Sequence, residues 1–560
     1  MTRVIWISWA IAFAAAQPVA ARNAQVDPQA GAGFSEKDFA RHVRTLASDE
    51  FEGREPSSPG EEKTVRYIRD ELAGDGLQPG APDGTWFQEV PLVKITADPG
   101  AELTLEGTDR TLELDYGQNM VVWTKRVTER AGIEDSELVF VGYGIVAPEY
   151  GWNDYEAVDV RGKTVVMLVN DPGFATRDPG LFTGNAMTWY GRWTYKFEEA
   201  ARQGAAGAII VHETAAAGYP WDVVTGSWTG PQFDSISSDK NLQRAAIEGW
   251  ISRDAAERLF KLAGADYEQA KHAAARRGFR ARPLSVTATA AVDNSLERSR
   301  SRNVVGRLPG RERPEECIIY MAHWDHLGRD ETRDGDQIFN GALDNATGVA
   351  GILEIAEAFA ALPRKPARSI LFLAVTAEES GLLGSQWYAS HPACPLADTV
   401  AAINIDRMSV FGRTEDVTVV GYGSSELEDW LERAASRQDR RLEPEPTPEK
   451  GFFYRSDHFN LARRGVPVLY TKSGVDHVER GEEYGRRLEA EYVADRYHKP
   501  GDEYDPHWDL SGTLEDMAMM FDVGLELANS EAFPNWHEDS EFRAAREASR
   551  AKSRDSRPGS

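Results

Sequence analysis

Three apolar runs in the second half of the chain each end in residues that bind metals or move protons. CIIYMA stops at His323-Trp324-Asp325-His326, SILFLAVT at Ala377-Glu378-Glu379, and VAAINI at Asp406. A loop holding Asp344-Asn345 leads into a helical pattern, and Tyr497-His498 adds an imidazole on a later loop. Imidazole nitrogens and carboxylate oxygens are the usual donors of a hydrolytic zinc ion, which keeps a position open for water or substrate. Each piece alone has a plainer explanation: a lone His at a strand end, a solvated Glu-Glu pair, an Asp-Asn helix cap. Together they do not, because carboxylates and imidazoles that finish buried strands are costly unless paired or bound to a cation.

The elements that must position these residues are legible as a pattern. From Asn303 onward, continuous apolar runs alternate with helical patterns such as GVAGILEIAEAFAAL. Strands of that kind are buried on both faces, which predicts an α/β fold: an α/β/α sandwich with a mainly parallel central sheet. In such sheets ligands collect beyond the carboxyl ends of the strands, where these acids and histidines fall. Near the start, Ser35 opens a capping-box pattern followed by Phe39, Val43 and Leu46, and a second helix carries Val65, Ile68 and Leu72. Between them and the sandwich, short β-type runs and Gly-rich turns predict an inserted β-rich module. The expected boundaries are an export leader over 1–21, an N-terminal part of the catalytic domain over 34–95, the insert over 96–291, the catalytic domain over 292–529, and a polar, disordered tail over 530–560.

Composition narrows the function classes. With 63 basic against 90 acidic residues the formal charge is -27. Nucleic acids and anionic membranes both call for a basic footprint, so neither is an expected partner. The apolar stretch from Val4 to Ala16, with small residues to Ala21, falls short of the ~20 residues that span a bilayer and suits a removable export signal. No later stretch is a membrane candidate. Two cysteines, Cys317 and Cys394, exclude a disulfide-built scaffold, and the sequence leaves open whether they bridge.

The ordered set HWDHLG (323–328), NGALDNATGVAGILEIA (340–356), TAEESGLLGS (376–385), INIDRM (403–408), YRSDHFNLARRGVPVLY (454–470) and YHKPGD (497–502) resembles the co-catalytic two-zinc exopeptidases, which include leucyl aminopeptidases, aminopeptidase Y and glutamate carboxypeptidase. The insert resembles their protease-associated domain through LVFVGYGIV, WNDY, RGKTVVMLV and AARQGAAGAIIV. The resemblance implies two Zn²⁺ per chain: Asp344 bridging them, His323 and Asp406 completing one, Glu379 and His498 the other, with Asp325 orienting His323. A metal-bound carboxylate loses basicity to the cation, so Glu378, not Glu379, is the expected general base. Tyr454 is expected either to hydrogen-bond an oxyanion or to pack as an aromatic; Asp457 and His458 are expected to line the pocket. Arg407 departs from the small or apolar residue expected after Asp406. The implied activity is aminopeptidase hydrolysis of peptides outside the cytoplasm. The alternatives are a carboxypeptidase or N-acyl amino acid deacylase, an inactive receptor-like protein, and a single-zinc cyclase.

Overall fold

A computed structural model describes residues 33–556. The expected export leader lies outside them.

The central sheet has a parallel core. Strands Arg368–Val375, Arg313–His323, Thr399–Asn404 and Val468–Ser473 pair side by side and parallel, in that order. Antiparallel neighbours flank them: Arg282–Leu308 lies against Arg368–Val375, and Asp416–Val419 against Val468–Ser473. Along Arg313–His323, Ile318, Tyr320 and Ala322 join one hydrophobic cluster while Cys317, Ile319 and Met321 join another. That period of two places apolar side chains on both faces, so each face needs a helical cover. Residues of helices Glu36–Leu46, Pro59–Gly74, Thr347–Ala361 and Ser511–Asn529 fill the first cluster. Those of Leu383–Ser390 and His458–Ala462 fill the second. Ser35 caps the first helix as its sequence predicts, its side chain accepting from Asp38 N.

Residues between the two N-terminal helices and the sandwich build a second sheet with its own hydrophobic clusters. Strands Arg130–Phe140, Thr164–Leu168, Gly207–His212 and Ile247–Ser252 lie parallel, and helices Trp193–Arg202, Arg253–Leu262 and Tyr267–Ala274 accompany them. Strand Arg282–Leu308 joins the two sheets. Its first half pairs with Glu102–Glu106 and Arg130–Phe140, and its second with Phe87–Ala97 and Arg368–Val375. A boundary at 291 and 292 therefore falls inside one continuous strand, not in a linker.

The tail departs from expectation. Residues 530–556 are ordered and include helix Arg543–Ser556. Trp536 is fully buried, with its Nε1 donating to Gly465 O, and the buried Arg546 guanidinium donates to Thr399 O and Leu396 O. Low apolar content misled because a few large side chains and one buried guanidinium, not a periodic stripe, anchor this segment. Cys317 and Cys394 form a disulfide that ties a central strand to the loop after Leu383–Ser390. No helix among the described residues is long and apolar enough to cross a membrane.

Candidate metal centre

The five residues expected as ligands converge at the carboxyl edge of the parallel strands. His323 closes its strand with Nε2 3.3 Å from Asp344 Oδ1 and 3.6 Å from Asp406 Oδ1. On the other side of the same carboxylate, His498 Nε2 lies 3.2 Å from Asp344 Oδ2 and 3.1 Å from Glu379 Oε2. Asp344 thus turns one oxygen to each of two His-carboxylate pairs. Three overlapping groups have donor atoms within 4.8 Å of one another: His323, Asp344 and Asp406; His326, Asp344 and Glu379; His323, Glu378 and Glu379.

The surroundings fix these donors. His323 Nδ1 is 3.1 Å from the Asp325 carbonyl, which can only accept, so Nδ1 carries the proton and Nε2 is left as the donor atom. The Asp325 carboxylate stands 3.9 Å off and instead accepts from Glu378 N and Glu379 N. Asp325 therefore orients His323 through its backbone and holds the Glu-Glu turn through its side chain. His326 Nδ1 lies 2.7 Å from Glu379 Oε1, and Ser456 Oγ donates to Asp406 Oδ2 at 2.5 Å.

Sequence reasoning missed several supports. Asn345 Oδ1 accepts from Arg407 N and Gly348 N while its Nδ2 donates to Ile405 O, joining the Asp344 loop to the Asp406 loop. Gly348 makes that approach possible: a Cβ there would stand 2.5 Å from Ile405 O. Asp502 accepts from Leu343 N and Asp344 N. Arg54, fully buried, donates to Trp324 O, Asn340 O, Gly341 O and Leu46 O. Burial lowers its guanidinium to about 10, with Asp502, Asp325, Asp344 and Glu379 opposing the shift, so a cation sits beneath the acidic cluster. The signal for Arg54 was weak, one arginine among 63 basic residues in a turn far away in sequence.

Electrostatics mark the cluster as short of positive charge. Burial alone would lower His323, yet Glu378, Asp344 and Asp406 hold it well above its ordinary value. Burial opposes the same shift in His498, which Glu379 and Asp344 lift to about 11. Burial pushes Glu378 well above the usual carboxylate range, with Glu379, Asp406 and Asp457 adding to it, and lifts Asp325 to about 7.

The remaining candidates take other places. Asp457 is fully buried and accepts from Ser385 Oγ at 2.6 Å. His458 packs against Phe453 and Tyr470, and burial lowers it to about 3. The Tyr454 hydroxyl donates to Glu541 Oε1 at 2.9 Å, and its ring packs on Phe459. Arg407 pairs with Glu489 at 2.5 Å and stacks over Tyr492, so its charge is neutralised locally. A cleft of about 430 Å³ lined by Phe411, His477, Tyr484, Tyr492 and Trp508 lies apart from the five clustered donors, none of which lines it.

Residues 303–522, the segment that supplies all five donors, match the model of peptidase family M28. The mouse aminopeptidase NAALADL1 is 35% identical over 134 residues, covering 23% of this chain and 16% of that protein. A probable zinc metalloprotease of Pyricularia oryzae is 31% identical over 223 residues, 38% of this chain and 43% of that protein. The chain thus spans less than half the length of either relative. Among solved structures, an aminopeptidase from Aneurinibacillus sp. strain AM-1 is similar at 20% identity and a TM-score of 0.47, over 90% of this chain and 97% of that one. The M28 segment begins inside strand Arg282–Leu308 and ends within helix Ser511–Asn529, so it takes in the whole parallel core.

Proposed function

We propose that the protein is an exported, zinc-dependent exopeptidase of the aminopeptidase type. One observation carries the proposal: the two oxygens of Asp344 face separate His-carboxylate pairs, as a carboxylate shared by two cations would. The donor chemistry fits zinc, with an imidazole nitrogen and a terminal carboxylate on each side of the shared one. His323 and Asp406 would hold one ion and His498 and Glu379 the other. Bound there, such a pair supplies Lewis acidity toward a carbonyl and toward water.

The chain's own residues account for the rest. Glu378 follows Ala377 into the turn, its N–H held by Asp325, and its carboxylate belongs with His323 and Glu379 to one donor group. Its neighbour Glu379 is engaged by His326 and His498, which leaves Glu378 to accept a proton from water and return it to the leaving amine. The disulfide supports export, since such bonds persist in oxidising compartments. The second sheet is read as a protease-associated domain set against the M28 segment.

The second reading is a carboxypeptidase or N-acyl amino acid deacylase, because the same pair of His-carboxylate sides would serve either reaction. Aminoacyl-nitroanilides assayed beside N-blocked peptides and peptides ending in glutamate separate the two. Turnover of the free-amine substrates is the expected result, and turnover of blocked peptides alone would reject the aminopeptidase reading.

A further inference from the structure

Three parts of the chain, far apart in sequence, meet at one tail carboxylate. Glu541 accepts from Tyr454 Oη at 2.9 Å and from Trp189 N at 3.2 Å. Trp189 belongs to the second sheet's unit, Tyr454 to the M28 segment, and Glu541 to the tail beyond it. Around that junction the contacts are specific. The Trp189 ring lies 4.6 Å from Phe459, Arg463 pairs with Glu198 at 2.5 Å and stands over Trp189, and Met187 N donates to Pro448 O. Phe542, next to Glu541, stacks on Phe453. The segment so gripped continues directly into the metal cluster: Ser456 donates to Asp406, and Asp457 accepts from Ser385.

We propose that Glu541 is a positioning residue, whose carboxylate fastens the Trp189 turn to Tyr454 and so fixes the 452–458 segment, which on the peptidase reading borders the substrate through Ser456 and its partner Asp406. It touches no donor of the cluster itself. Its effect passes through Tyr454 to Ser456 and to the placement of the second unit, and it should fall mainly on substrate binding and not on metal retention. The assignment rests on the peptidase reading for its kinetic consequence, but its structural consequence stands without it.

The test compares the full chain with Glu541→Ala, Glu541→Gln and Tyr454→Phe. Gln keeps a carbonyl oxygen that can accept from both Tyr454 and Trp189, whereas Ala removes it and Phe removes the donor. Hydrogen exchange over 187–191 and 452–458, which needs no catalysis, is expected to quicken in the Ala and Phe variants and to stay at the parent rate in Gln. With a tripeptide substrate, KM is expected to rise about fivefold in Ala and Phe with kcat nearly unchanged, and to recover in Gln, the size of one lost hydrogen bond. Exchange and KM in Ala and Phe matching the parent would overturn the proposal, as would a Gln variant as impaired as Ala. If the Ala variant fails to fold, Phe and Gln decide by the same readings. A parent that hydrolyses no peptide would sink the peptidase reading alone, because the exchange measurement would still judge Glu541.

Discussion

Glu378 and Glu379 adjoin in sequence and share one turn, yet their carboxylates have different surroundings. Glu379 is held by two imidazoles, His326 at 2.7 Å and His498 at 3.1 Å, while Glu378 is engaged through its backbone, its N–H donating to Asp325 and its carbonyl accepting from Gly381 N and Leu382 N. The account predicts that Glu378→Gln lowers kcat by about 10²- to 10⁴-fold while leaving the metal content at the parent level, read by steady-state kinetics beside elemental analysis. Retained turnover in that variant would remove Glu378 from the mechanism. That these five residues come together was legible because each terminates an apolar run or sits in a motif. The division of labour around Asp325 was not. Sequence shows a carboxylate two residues past His323 but cannot show that its backbone, and not its side chain, meets the imidazole.

At the scale of elements, the site depends on loops held by buried polar groups that no periodicity reveals. Arg54 donates to four carbonyls from three separate segments, a fork that lysine cannot reproduce. Arg54→Lys is expected to destabilise the fold by about 2–4 kcal/mol, measured by denaturant unfolding, since carbonyls would be left unpaired. Helix Gly481–Asp495 escaped the sequence reading for a related reason: Tyr492 alone is buried among its residues, so it has no apolar stripe to detect. The strands and helices of the parallel core were legible because burial on both faces writes itself as continuous apolar runs. The tail helix was not, and its junction has a pH signature. Burial, with Glu149 and Asp171 nearby, pushes the Glu541 carboxyl up to about 8 against hydrogen bonds from Tyr454 and Trp189 that lower it. A group raised in the folded state stabilises below its unfolded value, and that contribution is lost as pH rises through the folded one. Stability of the parent relative to Glu541→Gln is therefore expected to fall between about pH 4.5 and 8, followed by thermal unfolding. A flat difference across that window would contradict the environment described for Glu541.

In the whole molecule, two sheets share one long strand, and a covalent tie closes the larger one. The Cys317–Cys394 bond spans 77 residues and encloses the loops carrying Asp344, Glu378 and Glu379. By chain entropy, closing a loop of that length stabilises by up to about 4.5 kcal/mol. The paired Cys317→Ser and Cys394→Ser variant is accordingly expected to unfold several degrees lower, with Asp344 and its partners still able to bind metal once folded. Sequence could count the two cysteines but not bring them together, because their approach depends on the register of strand and helix across the core. The two-unit organisation was visible as a change of texture. The strand that runs through both units was not, since its middle, Asp293 to Arg300, is mostly polar with no buried residue and interrupts the apolar alternation.

The most direct measurement is a metal count on the purified chain, alone and with Asp344→Ala. The account predicts about two zinc ions per parent chain and loss of both in the variant, because its carboxylate serves each side of the cluster. A parent chain that binds no zinc after supplementation, or a variant that keeps the parent's full count, would contradict it.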